Sequence, residues 1–114
     1  MVKTVAVFDE LCNKELNIFI GESAQDNFHI INQARQYDLW FHVKNVASCH
    51  VILQLPTSKS KISKQTLNRC KELCIENSLK ANDDSDVIYS TIKHIKKGEK
   101  LGSVYTKGSR TVTL

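Results

Sequence analysis

With 114 residues, 41% of them hydrophobic and 25% charged, the chain has the composition of one globular domain and can hold a core without metal or disulfide staples. It has no run of about 18 apolar residues, which excludes a membrane-spanning helix, and its first nine residues alternate like a strand instead of forming a signal peptide's unbroken apolar stretch. The net charge of +4 is unevenly placed: from Lys93 onward six basic residues meet one acid, Glu99, for +5, while residues 1–92 hold ten basic and eleven acidic residues, for −1. A basic tail of this kind is the electrostatic footprint of an anionic partner such as nucleic acid.

In chain order, the pattern predicts a first strand at about 3–8, a turn around Asp9–Lys14, and a second strand over 15–20 that Gly21 ends. A helix is predicted at about 23–36, with Ser23 as N-cap and Asp26 as a capping-box-like acid. Ala24, Phe28, Ile31 and Ala34 recur at helical spacing as its core stripe. Residues 38–53 read as a two-stranded hairpin, stopped by Pro56 and the polar run 57–61. A second helix runs from about Lys64 to Asn77, capped by Ser63, with Leu67, Cys70, Cys74 and Ser78 on its inner line. After the acidic loop 82–86 come strands at about 87–92, 103–106 and 110–113. The last two are joined by Lys107-Gly108-Ser109, which reads as a tight hairpin. The expectation is one α+β domain over residues 1–114: a mixed, antiparallel-rich sheet with two main helices packed on one face.

The hairpin carries the only Trp and two of the four His. Strand side chains alternate faces, so Leu39, Phe41 and Val43 point to a core while Asp38, Trp40 and His42 point the other way. A loop centred on Val46 sets His42 opposite His50 on that same face. From residue chemistry alone two readings stand. One is a buried polar network in which Asp38 orients a His or a loop amide. The other is a nucleic-acid surface on which Trp40 stacks a base while His42 and His50 donate hydrogen bonds. A metal site of Asp38, His42 and His50 is a third arrangement the spacing allows.

The run Lys93-His94-Ile95-Lys96-Lys97 offers point charges to phosphates, with Arg110 and Lys44 as further contacts and Gly98 and Gly102 serving backbone turns. Cys12, Cys49, Cys70 and Cys74 read as free thiols of a reducing compartment, the last two in the core of the second helix. Cys49 and His50 are strand neighbours and face opposite ways, which argues against a nucleophile pair. No Walker loop or nucleophile-elbow motif is present.

Asp38-Leu39-Trp40-Phe41-His42-Val43, followed by Ser48-Cys49-His50-Val51-Ile52-Leu53, resembles the signature of the NFACT RNA-binding module. That module is the C-terminal domain of the NFACT ribosome quality-control proteins and also occurs as a standalone chain. Gly21, Ala24 and Asn27 resemble its helix opening, Lys93, Lys96 and Lys97 its basic run, Gly98 and Gly102 its paired glycines, and residues 104–105 and 110–114 its last strands.

The resemblance implies a cytoplasmic RNA-binding protein, with the nucleus left open. It implies no cofactor and no catalysis, and a partner that is tRNA or rRNA and, through it, the large ribosomal subunit. Its role would be accessory to translation or ribosome-associated quality control. The alternatives are a protein-interaction adaptor without direct nucleic-acid binding and a metal-dependent hydrolase.

Overall fold

The computed structural model describes residues 1–98 and 104–112. Strands β1 (Lys3–Asp9) and β2 (Lys14–Gly21) form a hairpin, followed by helix α1 (Ala24–Gln33) and a second hairpin of β3 (Leu39–Val43) and β4 (His50–Leu53). Helix α2 (Lys64–Glu76), β5 (Val87–Thr91), a 3-10 turn (Ile92–His94), β6 (Ile95–Lys97), β7 (Val104–Thr106) and β8 (Arg110–Thr111) complete the order. Both hairpin turns use an asparagine in the left-handed region, Asn13 at φ 54° and Asn45 at φ 65°. Asparagine visits that region at lower cost than other side chains.

Six strands form one sheet in the order β1-β2-β4-β3-β5-β8, and β6 pairs β7 in a separate ribbon. Every pairing among the described residues is antiparallel. The domain is α+β, as its sequence pattern predicts.

The two helices lie on opposite faces, not on one. Ile18, Ile20, Phe41, Val43, Val51 and Leu53 point to one side and pack with Cys70, Leu73 and Cys74 of α2. Phe19, Trp40 and Ile52 point to the other side and meet Phe28, Ile30 and Ile31 of α1. Burying a large apolar side chain at either layer contributes about 1.5–3 kcal/mol. The inward stripe of α1 is Asn27, Ile30 and Ile31; Ala24, expected inside, is exposed.

Ser23 does cap α1, its hydroxyl accepting from the Asp26 amide at 3.1 Å, while the Asp26 carboxylate takes the N-terminal ammonium at 2.6 Å. Ser63 caps α2 in the same way. A buried carboxylate ties that second cap to the β1–β2 turn. Asp9 accepts from the amides of Leu11, Cys12 and Ser63 and from the Ser63 hydroxyl, at 2.9–3.0 Å. Burial alone would raise its pKa, but hydrogen bonds from Thr66, Cys12 and Ser63 outweigh that and hold it below the usual carboxylate range.

The chain end departs from the expected hairpin. β7 turns back onto β6, with Ile95 opposite Thr106 and Lys97 opposite Val104, while β8 crosses to pair β5. Ile95 and Val104 explain the choice, because pairing β6 with β7 lays both against the Trp40 and Ile52 layer. Gly108, at φ 83°, turns the chain from β7 toward β8.

Candidate nucleic-acid interface

The His42 and His50 rings come together as the strand alternation predicts. β3 and β4 pair Trp40 with Ile52 and Phe41 with Val51, and the next step of that register sets His42 against His50. Their ring centroids are 5.1 Å apart and edge-on. His42 also stacks on Trp40 at 5.4 Å and 17°, and His50 meets Trp40 edge-on at 5.5 Å.

Trp40 is 2% exposed. Its expected use as an open stacking platform is corrected by the position of α1, which roofs that end of the face with Ile30 and Ile31. Its indole instead donates from Nε1 to His50 Nδ1 at 3.1 Å.

Two bonds fix the proton positions of both imidazoles. Trp Nε1 is a donor only, so His50 Nδ1 accepts, and the proton of the neutral ring sits on Nε2. A carbonyl accepts only, so His42 Nδ1 donates to Val43 O at 2.6 Å, and its Nε2 carries the lone pair. Both rings stay neutral near pH 7. Burial, aided by the neighbouring His42, pushes the His50 pKa down to about 3. Burial also lowers the His42 pKa, against the opposing pull of its bond to Val43 O.

These rings floor a cleft of about 700 Å³. One wall is the start of α1 with Ser23, Ala24 and Asn27, a second is the 47–49 loop with residues 77–80, and a third is Ile88 with Val104 and Thr106 of β7. Asn27, seen in the sequence only as part of the helix opening, ties the α1 wall to the floor. Its Oδ1 accepts from the His50 amide at 3.2 Å. A Cβ at Gly21 would lie 2.3 Å from that oxygen, so only glycine lets α1 approach. Thr106 also lines the cleft without having been singled out in the sequence, as do Ser48 and Ser78, which the sequence offered only as part of the hairpin motif and of the second helix's inner line. Period-2 reasoning reaches the floor of a site but not walls that come from distant segments.

The remaining expected residues divide. Asp38 is buried at the other end of β3, and its carboxylate accepts from the Arg35 and Leu55 amides at 2.9 Å. It orients loop amides and not His42, so the Asp38, His42 and His50 metal arrangement is not assembled. Among the described residues no group of three His, Cys, Asp or Glu side chains could hold a metal ion.

The basic run is a strand ribbon, not a solvated turn. Lys93 is exposed on the 3-10 turn, and Lys96 is exposed opposite Tyr105. Lys97 reaches over the Phe28 ring of α1, 5.0 Å from its centroid, and donates to Asn32. Lys44 is exposed just past β3. Arg110 is not part of this group. It lines a separate depression of about 490 Å³ with Tyr89, His94 and Lys107. Gly98 is half-buried after β6, and Gly102 lies outside the described residues.

The structure thus sets a basic ribbon beside a cleft floored by two neutral imidazoles on a helix-covered antiparallel sheet. The chain belongs to the family described as the NFACT protein RNA binding domain, whose model matches residues 4–113. Membership supports a general RNA-binding role; the family is a nucleic-acid-binding domain and not a known class of enzyme.

Coiled-coil domain-containing protein 25 of Danio rerio is 30% identical over 84 residues, covering 70% of this chain and 41% of that protein. The Dictyostelium discoideum homolog of that protein is 26% identical over 114 residues, covering 95% of this chain and 55% of the relative. The chain thus spans about half the length of the curated relatives it matches. A solved structure, the C-terminal part of the fibronectin/fibrinogen-binding protein from Streptococcus suis, superimposes with a TM-score of 0.77 at 23% identity. The match covers 96% of this chain and 43% of that one, and it shows the shared fold.

Proposed function

We propose that the chain binds structured RNA, tRNA or rRNA, through the cleft and the β6–β7 ribbon beside it, as an accessory to translation or ribosome-associated quality control in the cytoplasm. The observation that carries this reading is the attachment of the basic ribbon to the imidazole floor: Val104 and Thr106 of the same ribbon line the cleft. Phosphates would meet Lys93, Lys96, Lys97 and Lys44, whose charges hold a backbone without reading its sequence. Bases would meet the histidine floor, with Trp40 acting from behind by fixing the His50 ring. Arg110 with Lys107 would form a second patch on the far edge of the sheet. The large ribosomal subunit is the assembly on which such a module would be found.

The test is fluorescence anisotropy with tRNA across a salt series, for the wild type and for Lys96→Glu/Lys97→Glu with folding checked by circular dichroism. The wild type should lose affinity as salt rises, because bound lysines release counterions. Loss of two phosphate contacts should flatten the plot of log affinity against log salt by about 2. A folded charge-reversal protein that binds tRNA as the wild type does would remove the ribbon from the interface and favour a protein partner.

A further inference from the structure

The floor of the cleft has a hydrogen-bonding pattern that distinguishes between the parts of a nucleotide. His50 is 2% exposed, and its Nε2 proton has no partner among the described residues. Among the described residues no buried side-chain nitrogen or oxygen is left unpaired, and His50 lines the cleft, so the little of its ring that is exposed is assigned to the Nε2 edge facing the cleft. Beside it, His42 presents a lone pair at Nε2, also without a partner among the described residues. One donor and one acceptor therefore stand on neighbouring rings whose tautomers are each locked from behind.

A phosphodiester offers acceptors only. It would satisfy His50 but place an oxyanion against the His42 lone pair. The wall charges do not decide, because Glu22 is paired with Lys3 at 3.0 Å and Lys80 lines the same cleft. A nucleobase edge carries an acceptor next to a donor: N1 and the N6 amino group of adenine, or N3 and the N4 amino group of cytosine. The cleft volume of about 700 Å³ lies in the range of small-molecule sites. Ala47, Ile88 and Val104 supply apolar wall for the faces of a ring.

We propose that this cleft receives one unpaired nucleobase, held edge-on by His50 as donor and His42 as acceptor, while the phosphates stay outside on the lysines. The inference rests on the RNA-binding reading and adds that the site reads a base. Locked tautomers matter because a freely exchanging imidazole would accept a phosphate as readily.

The experiment compares a single-stranded RNA hexamer with the fully abasic hexamer of equal charge, for the wild type, His42→Phe and His50→Asn. Intact RNA should bind the wild type about tenfold tighter than abasic RNA, the scale of a two-bond base contact. Both variants should bring the two ligands within about twofold while the salt dependence stays. Equal affinity of the wild type for both ligands overturns the base site and leaves the electrostatic reading standing. Discrimination that persists in both folded variants overturns it too. No binding of either ligand at low salt overturns both readings together.

A second measurement needs no variant. Long-range 15N–1H spectra of the imidazoles should move at both Nε2 atoms on addition of adenosine or cytidine and not of inorganic phosphate. The reverse pattern overturns the proposal.

Discussion

Phe41 and Trp40 are neighbours on β3 that enter different environments. Phe41 joins Val51 and Leu53 in an apolar layer against Cys70, Leu73 and Cys74 of α2. Trp40 joins a thinner layer under α1 that runs along the face into two imidazoles and a cleft. On the α1 face two specific bonds hold His50 in place: the Trp40 indole donates to its ring, and its own amide donates to Asn27. One face supplies most of the apolar burial. The other gives up part of that burial to hold two rings in fixed tautomers, and a buried network of this kind fixes geometry only when each member is satisfied.

Phe41→Ala should break the first face. Phe41 is fully buried, and truncating such a residue leaves a cavity as well as removing contacts, at a cost of about 3–5 kcal/mol. Urea unfolding followed by circular dichroism should show that loss, while the fraction still folded at low urea binds RNA with wild-type discrimination between intact and abasic strands. Discrimination that falls with stability would mean the two faces are not separable.

Acid should weaken the second face. The His50 pKa lies at about 3 in the fold, against 6.5 in the unfolded chain. Between those values the unfolded state binds a proton that the folded state refuses. Stability is therefore full above about pH 6.5 and falls as pH drops toward 3, at about 1.4 kcal/mol per pH unit for this one group. His42, whose pKa is also lowered, acts with the same sign. By pH 5 the loss from His50 should be about 2 kcal/mol. His50→Asn keeps an acceptor for Trp40 Nε1 but does not titrate, so its stability should change distinctly less between pH 7 and pH 5. Equal slopes for variant and wild type would show that His50 is not the buried neutral group.

The same contrast explains what the sequence discloses. Alternation over residues 38–53, with a loop centred on Val46, is enough to place His42 opposite His50, because strand period and hairpin register are local. The α2 face is readable for the same reason, since an apolar line marks it. The α1 face is not, because Asn27 sits in the buried stripe of its helix where a polar residue reads as surface. What turns it inward is the amide of His50, 23 residues away in sequence. Without α1 placed over that face, the sequence leaves Trp40 open to two readings, buried network or exposed stacking platform. β6 is hidden for another reason: a three-residue strand with two exposed lysines has no period to detect, and only its partner β7 shows that Ile95 points inward. The pairing of β8 with β5 is likewise a long-range choice, against a local turn that resembles a hairpin.

Trp40→Phe is the finest cut between the faces, because it keeps most of the buried ring and removes one N–H. His50 Nδ1 is then a buried acceptor without its donor, and the cost of such an orphan is about 1–3 kcal/mol. The more informative effect is on the proton. With the indole gone, nothing among the described residues holds the His50 hydrogen on Nε2, so both tautomers become populated and the cleft loses its fixed donor. Long-range 15N–1H spectra should show a single Nε2-protonated tautomer for His50 in the wild type and a mixture in Trp40→Phe. The folded variant should keep its salt-dependent affinity for RNA but lose most of its preference for intact over abasic strands. A preference that survives with mixed tautomers would show that apolar walls, not the imidazole pair, recognise the base.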